Sequence, residues 1–193
     1  MCRMQTIFVT ISELLWIVLL TVWFFGFFRN KKTTKLPNPY LQLIANTLLF
    51  SSYYFLFNPF FKGLLAYPAT SQTVWFGAIG VLLTIAGVAF AIWARVFLGK
   101  NWSGAVITLK ADHKLITLGP YQFVRHPIYT GWLFATIGTA LAIGTFAAYI
   151  AVVLNLIGFL LRIQKEEALM TAQFPAEYSE YKKSSKMLVP FIW

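Results

Sequence analysis

The chain has 193 residues, 59% hydrophobic and only 11% charged, with a formal net charge of +10. A soluble domain carries about 25% charged residues, so the composition excludes one and places the chain in the membrane class, at a length that suits one compact bundle. The basic residues lie at the ends of apolar segments, which reads as anchoring to an anionic membrane face and not as binding to nucleic acid, and Cys2, the single cysteine, excludes intramolecular disulfides and thiolate-rich metal sites.

A helix needs about 20 apolar residues to cross the hydrocarbon core. The first such run extends from Ile7 to Phe28. It is longer than a signal-peptide core and lacks a small-residue cleavage site, so it is read as a retained helix. Its only ionisable residue, Glu13, is expected to be protonated or to face the bundle interior. The second run, Leu41 to Phe61, ends near Asn58-Pro59, and the third extends from Val74 to Leu98. The fourth and fifth, Ile128 to Gly144 and Phe146 to Ile163, almost touch at Gly144-Thr145, and so short a connection forces an antiparallel helical hairpin. Gly77, Gly80 and Gly87 in the third run, and Gly131 and Gly138 in the fourth, predict close helix packing.

Five spans also sort the basic residues. Arg29, Lys31, Lys32, Lys35, Arg95, Lys100, Lys110, Lys114, Arg125, Arg162, Lys165, Lys182, Lys183 and Lys186 fall on one side, leaving only Arg3 and Lys62 on the other. The positive-inside rule then places the N-terminus outside and the C-terminus in the cytoplasm. Four or six spans spoil this partition. Residues 1–73 are read as an N-terminal two-helix membrane region. Residues 74–193 form the core, holding spans three to five and the C-terminal segment, as one structural unit.

Polar residues that are not simple anchors cluster between Gly99 and His126 and between Arg162 and Tyr181. Both stretches lie on the predicted cytoplasmic side, where the open ends of the hairpin meet. In "LGPYQFVRHPIYTGW", Pro127 suits the first turn of span four, whose N-terminus attracts anions, and His126 and Tyr129 share a helix face. The plainer alternative is a snorkelling Arg125 beside interfacial aromatics. In "LLRIQKEEAL", Arg162 and Glu166 share a face one turn apart. That pair is either a surface ion pair or, since Arg162 closes an apolar run, part of a site. His113 and His126 have no cysteine nearby, Asp112 is the only aspartate, and no helical His pair exists, so no metal site is expected. Dinucleotide-binding glycines, a P-loop and a serine nucleophile elbow are all missing.

The series "LGKNWSG", "HKLITLGPYQFVRHPIYTGW" and "RIQKEEALMTAQFPAEYSEYKK" resembles the isoprenylcysteine carboxyl methyltransferase family, whose core is shared with phospholipid N-methyltransferases. The likeness covers roughly residues 75 to 191. It rests on Arg-His-Pro-x-Tyr followed, after a helical hairpin, by a Glu-Glu pair. The resemblance implies S-adenosylmethionine as methyl donor and no metal. Carried over position by position, it implies that His113, Lys114, Leu115 and Ile116 line the cofactor pocket and that Tyr121 is a further contact. His126, Pro127, Ile128 and Tyr129 then close around the cofactor, Glu166 is its acidic ligand, and Arg162 is the catalytic, acceptor-positioning residue. The implied fold is an all-α integral membrane protein of five transmembrane helices, the last two a tight helical hairpin, with a cytoplasmic-face cofactor site.

The residue types suit that chemistry. Pro127 and His126 at a helix start suit the cofactor's carboxylate, and Glu166 suits its ammonium or a ribose hydroxyl. A carboxylate acceptor is ionised at neutral pH and needs no base; Arg162 can grip it bidentately but repels an ammonium. The sequence therefore favours methyl transfer to a carboxylate on a lipophilic acceptor drawn from the bilayer. The alternatives are a phospholipid or other amine N-methyltransferase on the same scaffold, and a noncatalytic membrane protein.

Overall fold

In the computed structural model, which describes residues 3–27, 39–71, 73–99, 102 and 115–192, six α-helices follow one another: α1 (Arg3–Phe27), α2 (Pro39–Phe57), α3 (Val74–Leu98), α4 (Pro127–Ile143), α5 (Phe146–Gln173) and α6 (Pro175–Ser184). Short 3-10 turns occupy Gly63–Ala66 and Gly119–Gln122. Three of the helices, α1, α3 and α5, are long and apolar enough to cross a membrane, and α4 is a shorter apolar helix of 17 residues. The 19 residues of α2 are interrupted by Gln42, Asn46, Ser51 and Ser52, which lower its apolar character. The protein is thus an all-helical, multi-pass integral membrane protein.

Three boundaries depart from the apolar runs by four residues or more, the first being the start of α1 at Arg3, ahead of Ile7. α2 stops at Phe57, short of Phe61, because Pro59 cannot continue a helix and the Asn58 side chain accepts from Phe60 N at 3.0 Å. α5 continues to Gln173, ten residues past Ile163, because "QKEEALMTAQ" consists of good helix formers whose inward face finds polar partners. It ends at Phe174, and Pro175 opens α6.

The helices alternate in direction. At one end Gly26 of α1 meets Arg95 of α3, which donates to its carbonyl at 2.9 Å. At the opposite end Gln5 of α1 donates to Ile143 O of α4 at 2.9 Å, and Ala69 N donates to Gly144 O at 2.8 Å. Arg95, Arg125 and Arg162 therefore share an end, and Lys62 lies at the other. The α4–α5 hairpin turns through Gly144, whose φ of 74° favours glycine, and Thr145 then caps α5 by accepting from Ala148 N.

α3 and α4 pack backbone to backbone. A Cβ on Gly131 would lie 2.5 Å from Ala91 N and from Gly87 O, and one on Gly138 would lie 2.5 Å from Gly80 O. Close approach of this kind supplies dispersion contact that lipid cannot replace. Gly77 differs: it makes room for Phe8 of α1. Gly131→Val should therefore push the two helices apart and destabilise the protein by about 2–3 kcal/mol, the upper range for overpacking, read as a lowered melting temperature in detergent. Beside this seam, Trp16 Nε1 donates to Thr139 Oγ1 at 2.9 Å, and the Trp16, Tyr53, Phe57 and Trp132 rings meet edge to face. Glu13 follows only part of the expectation. It is exposed on the outer face of α1 and does not face the bundle interior, because Ser12, Trp16 and Leu19 occupy the inward face.

Candidate functional site

α5 carries the site's centre on the face it turns toward α4. Arg162 is 6% exposed. Its Nε donates to the Tyr129 hydroxyl at 3.2 Å, and its Nη1 donates to Asn46 Oδ1 of α2 at 3.0 Å. One turn later, Glu166 accepts from the same Tyr129 hydroxyl. Tyr129 thus joins Arg162 to Glu166 and stacks between Phe159 (ring centroids 4.6 Å apart) and His126 (5.9 Å). Arg162 is buried and Glu166 half-buried, and the two meet through Tyr129, so the pair is not a solvated surface ion pair.

His126 sits against both acidic residues, with Nδ1 3.3 Å from Glu166 and Nε2 3.4 Å from Glu167. Burial disfavours its charge, but the two carboxylates outweigh that effect, and its pKa is raised above the ordinary 6.5. Glu167 also receives Arg125 at 2.8 Å and Lys182 at 2.7 Å. Arg125 is therefore no free snorkelling anchor.

The C-terminal segment forms a strap across this end. Arg125 N donates to Lys186 O at 2.8 Å, His126 N to Met187 O at 3.2 Å, and Thr130 Oγ1 to Leu188 O at 2.7 Å. Tyr181 of α6 donates to Tyr121 O, and burial pushes the Tyr121 hydroxyl well above its usual pKa.

Most positions singled out in the sequence meet here. Ile116, Tyr121, Ile128 and Tyr129 pack in one cluster with Ala94, Leu98, Trp102 and Trp132. Pro127 takes the first position of α4, behind His126 as its N-cap. Leu115 stands apart, lining an open groove of about 660 Å³ with Thr117, Phe174, Glu177 and Tyr181. His113 and Lys114 lie outside the described residues. Both ring nitrogens of His126 face Glu166 and Glu167, so the feature at this end that suits an anion is the α4 N-terminus itself. Sequence reasoning passed over Asn46, Glu167 as a partner of His126, and the strap. Among the described residues, no group of three or more His, Cys, Asp or Glu side chains is placed to hold a metal ion.

Against Tyr129 and Arg162 opens a cavity of about 690 Å³ between α1, α2, α4 and α5. Trp16, Trp23, Phe50, Tyr53, Phe57, Trp102, Trp132 and Phe159 line it, with Asn46, Tyr129 and Arg162 at its polar end. Arg95 stacks on Trp102 at 4.2 Å, and Trp102 meets Trp23 edge to face.

Such a bundle, with its polar unit opening on a large aromatic cavity, defines a helical membrane protein with a cavity polar at one end and apolar along its walls. Known proteins narrow the class. The family model described as the isoprenylcysteine carboxyl methyltransferase (ICMT) family matches residues 79–172. The protein-S-isoprenylcysteine O-methyltransferase of Xenopus laevis is 33% identical over 135 residues, which is 65% of this chain and 44% of that protein. The probable protein-S-isoprenylcysteine O-methyltransferase of Oryza sativa subsp. indica is 30% identical over 158 residues, 78% of this chain and 83% of that protein. A solved structure of the eukaryotic intramembrane Ras methyltransferase ICMT superposes with a TM-score of 0.56 at 26% identity, over 80% of this chain and 53% of that one. The chain belongs to the isoprenylcysteine carboxyl methyltransferase family. It spans about half the length of the Xenopus relative and of the solved structure.

Proposed function

We propose that the protein is an S-adenosylmethionine-dependent methyltransferase that esterifies a carboxylate on a lipophilic acceptor, of which an isoprenylated cysteine is the first candidate. One observation carries the reading. Arg162, a buried cation, stands at the polar end of a large apolar cavity and is one tyrosine hydroxyl away from Glu166. A lipid tail fits the aromatic walls, and its carboxylate then meets the guanidinium. The same charge opposes an ammonium-bearing headgroup.

The donor set suits S-adenosylmethionine. Glu166 is inward-facing and pairs with an ammonium or a ribose hydroxyl; Ile116, Tyr121, Ile128 and Tyr129 give an adenine apolar contact; and the α4 N-terminus at His126-Pro127 favours a carboxylate. The family pattern also assigns His113, Lys114 and Leu115 to the cofactor side, although Leu115 lines the neighbouring groove with Tyr181. When bound, the cofactor supplies an electrophilic methyl carbon on a sulfonium. Arg162 holds the acceptor carboxylate in place, Tyr129 separates the two polar subsites, and the aromatic walls exclude water. An ionised carboxylate needs no general base.

In this reading five helices span the bilayer, with α2 and α4 as the shorter spans, the N-terminus outside, and the site at the cytoplasmic face. The shared end of Arg95, Arg125 and Arg162 supports that orientation. Residues 74–193 form the methyltransferase core, and α1 and α2 complete the cavity wall. Cysteine placed at Lys62 should react with an impermeant reagent only from the non-cytoplasmic side, and labelling only from the cytoplasm reverses the assignment.

The decisive experiment uses purified full-length protein. Calorimetry should register S-adenosylhomocysteine binding, and no binding at millimolar ligand overturns the enzyme reading. Methyl-labelled S-adenosylmethionine with N-acetyl-S-farnesylcysteine should then yield base-labile label. Base-stable label from a host lipid extract points instead to an amine acceptor.

A further inference from the structure

Asn46 belongs to no motif, yet it meets Arg162 across 116 positions of sequence. It stands on the α2 face that also carries Leu49, Phe50, Tyr53 and Phe57, all lining the cavity. These positions follow the i, i+3, i+4, i+7 and i+11 spacing of one helix face. A guanidinium has donors only, so the Asn46 amide must turn its oxygen to Arg162 and its NH₂ the other way. Asn46 is partly exposed, and its Nδ2 has no hydrogen-bond partner among the described residues. The Arg162 bond accounts for the amide oxygen, but an NH₂ on an apolar wall is accounted for only when a ligand brings an acceptor to it. Resting on the reading of this cavity as the acceptor's site, we propose that Asn46 is an acceptor-positioning residue: its oxygen fixes the Arg162 fork, and its Nδ2 donates to the acceptor's carboxylate.

The arrangement discriminates substrate from product. A carboxylate receives the guanidinium charge and the amide donor together. Its methyl ester keeps the same tail but carries no charge, so it loses most of the polar grip and leaves. Asn46 therefore sets selectivity for acid over ester, a role that packing alone does not give it.

The test titrates full-length protein in detergent with N-acetyl-S-farnesylcysteine and, separately, with its methyl ester. The cavity tryptophans Trp16, Trp23, Trp102 and Trp132 report binding through their fluorescence. In Asn46→Asp the new carboxylate pairs with Arg162, so the melting temperature should hold or rise and S-adenosylhomocysteine affinity should stay unchanged. Affinity for the acid should fall roughly ten- to hundredfold while that for the ester stays constant. Turnover should show the loss as a raised KM with a smaller change in kcat. Asn46→Leu, which keeps the volume and adds no charge, should lower acid affinity roughly tenfold with the ester unaffected, and it carries the test alone if Asn46→Asp fails to fold. A wild-type ratio of acid to ester affinity in either folded variant overturns the proposal and leaves Asn46 a packing residue. Wild-type protein that binds neither probe overturns the cavity reading, and the proposal with it, whatever the variants do.

Discussion

Arg162→Leu should lower kcat/KM for a carboxylate acceptor by about a hundredfold or more while leaving S-adenosylhomocysteine affinity nearly intact. Leucine keeps the apolar stem but removes the cation proposed to orient the acceptor, and a nucleophile so displaced would lose its in-line approach. The change also leaves Asn46 Oδ1 and the Tyr129 hydroxyl without their donor, so some stability is lost as well. Calorimetric titration with S-adenosylhomocysteine counts the folded fraction and separates the two effects. Arg162→Lys should recover only part of the activity, since a point charge cannot grip a carboxylate with two parallel bonds. If Arg162→Leu loses cofactor affinity as severely as a Glu166 variant does, the two residues act as one unit and the acceptor assignment fails.

Glu166→Gln should weaken S-adenosylhomocysteine binding by roughly 1.5–3 kcal/mol, about ten- to hundredfold, the range for one charge-assisted buried hydrogen bond. The amide is the same size and still accepts from Tyr129, so the fold should survive. His126 keeps Glu167 as a charged partner. Isothermal titration reads the loss directly, and wild-type affinity in this variant removes Glu166 from the cofactor site. The Tyr129 hydroxyl lies between Arg162 and Glu166, so the two variants need not be additive, and the double substitution measures their coupling.

What the sequence disclosed and what it withheld divide along physical lines. Long apolar runs need no partner to declare themselves, and α3, α4 and the start of α5 follow them closely. The Arg162–Glu166 pair was legible because helical periodicity places residues four apart on one face, and His126 with Tyr129 because three apart does the same. Small residues in two consecutive runs announced the α3–α4 seam. Asn46 was not legible: its meaning comes entirely from a partner on another helix, and an asparagine in an apolar run has no periodic signature. The strap escaped for a similar reason, since its bonds run through backbone atoms that any sequence carries. The side of α1 that Glu13 occupies was not legible, because hydropathy reports that a carboxylate is out of place and does not say which way its helix is turned.

The strap also bears on the order in which the chain matures. α1 through α5 leave the ribosome first and can insert as a bundle with the Arg162–Tyr129–Glu166 unit already assembled. The backbone partners of Arg125, His126 and Thr130 are Lys186, Met187 and Leu188, which follow all six helices in the chain. A nascent chain whose α1–α5 are inserted therefore still lacks the clamp across His126. On the proposed function, closure of this end is a post-insertion event, and a ribosome stalled ahead of Lys186 should hold a membrane bundle whose His126 end is still unclamped.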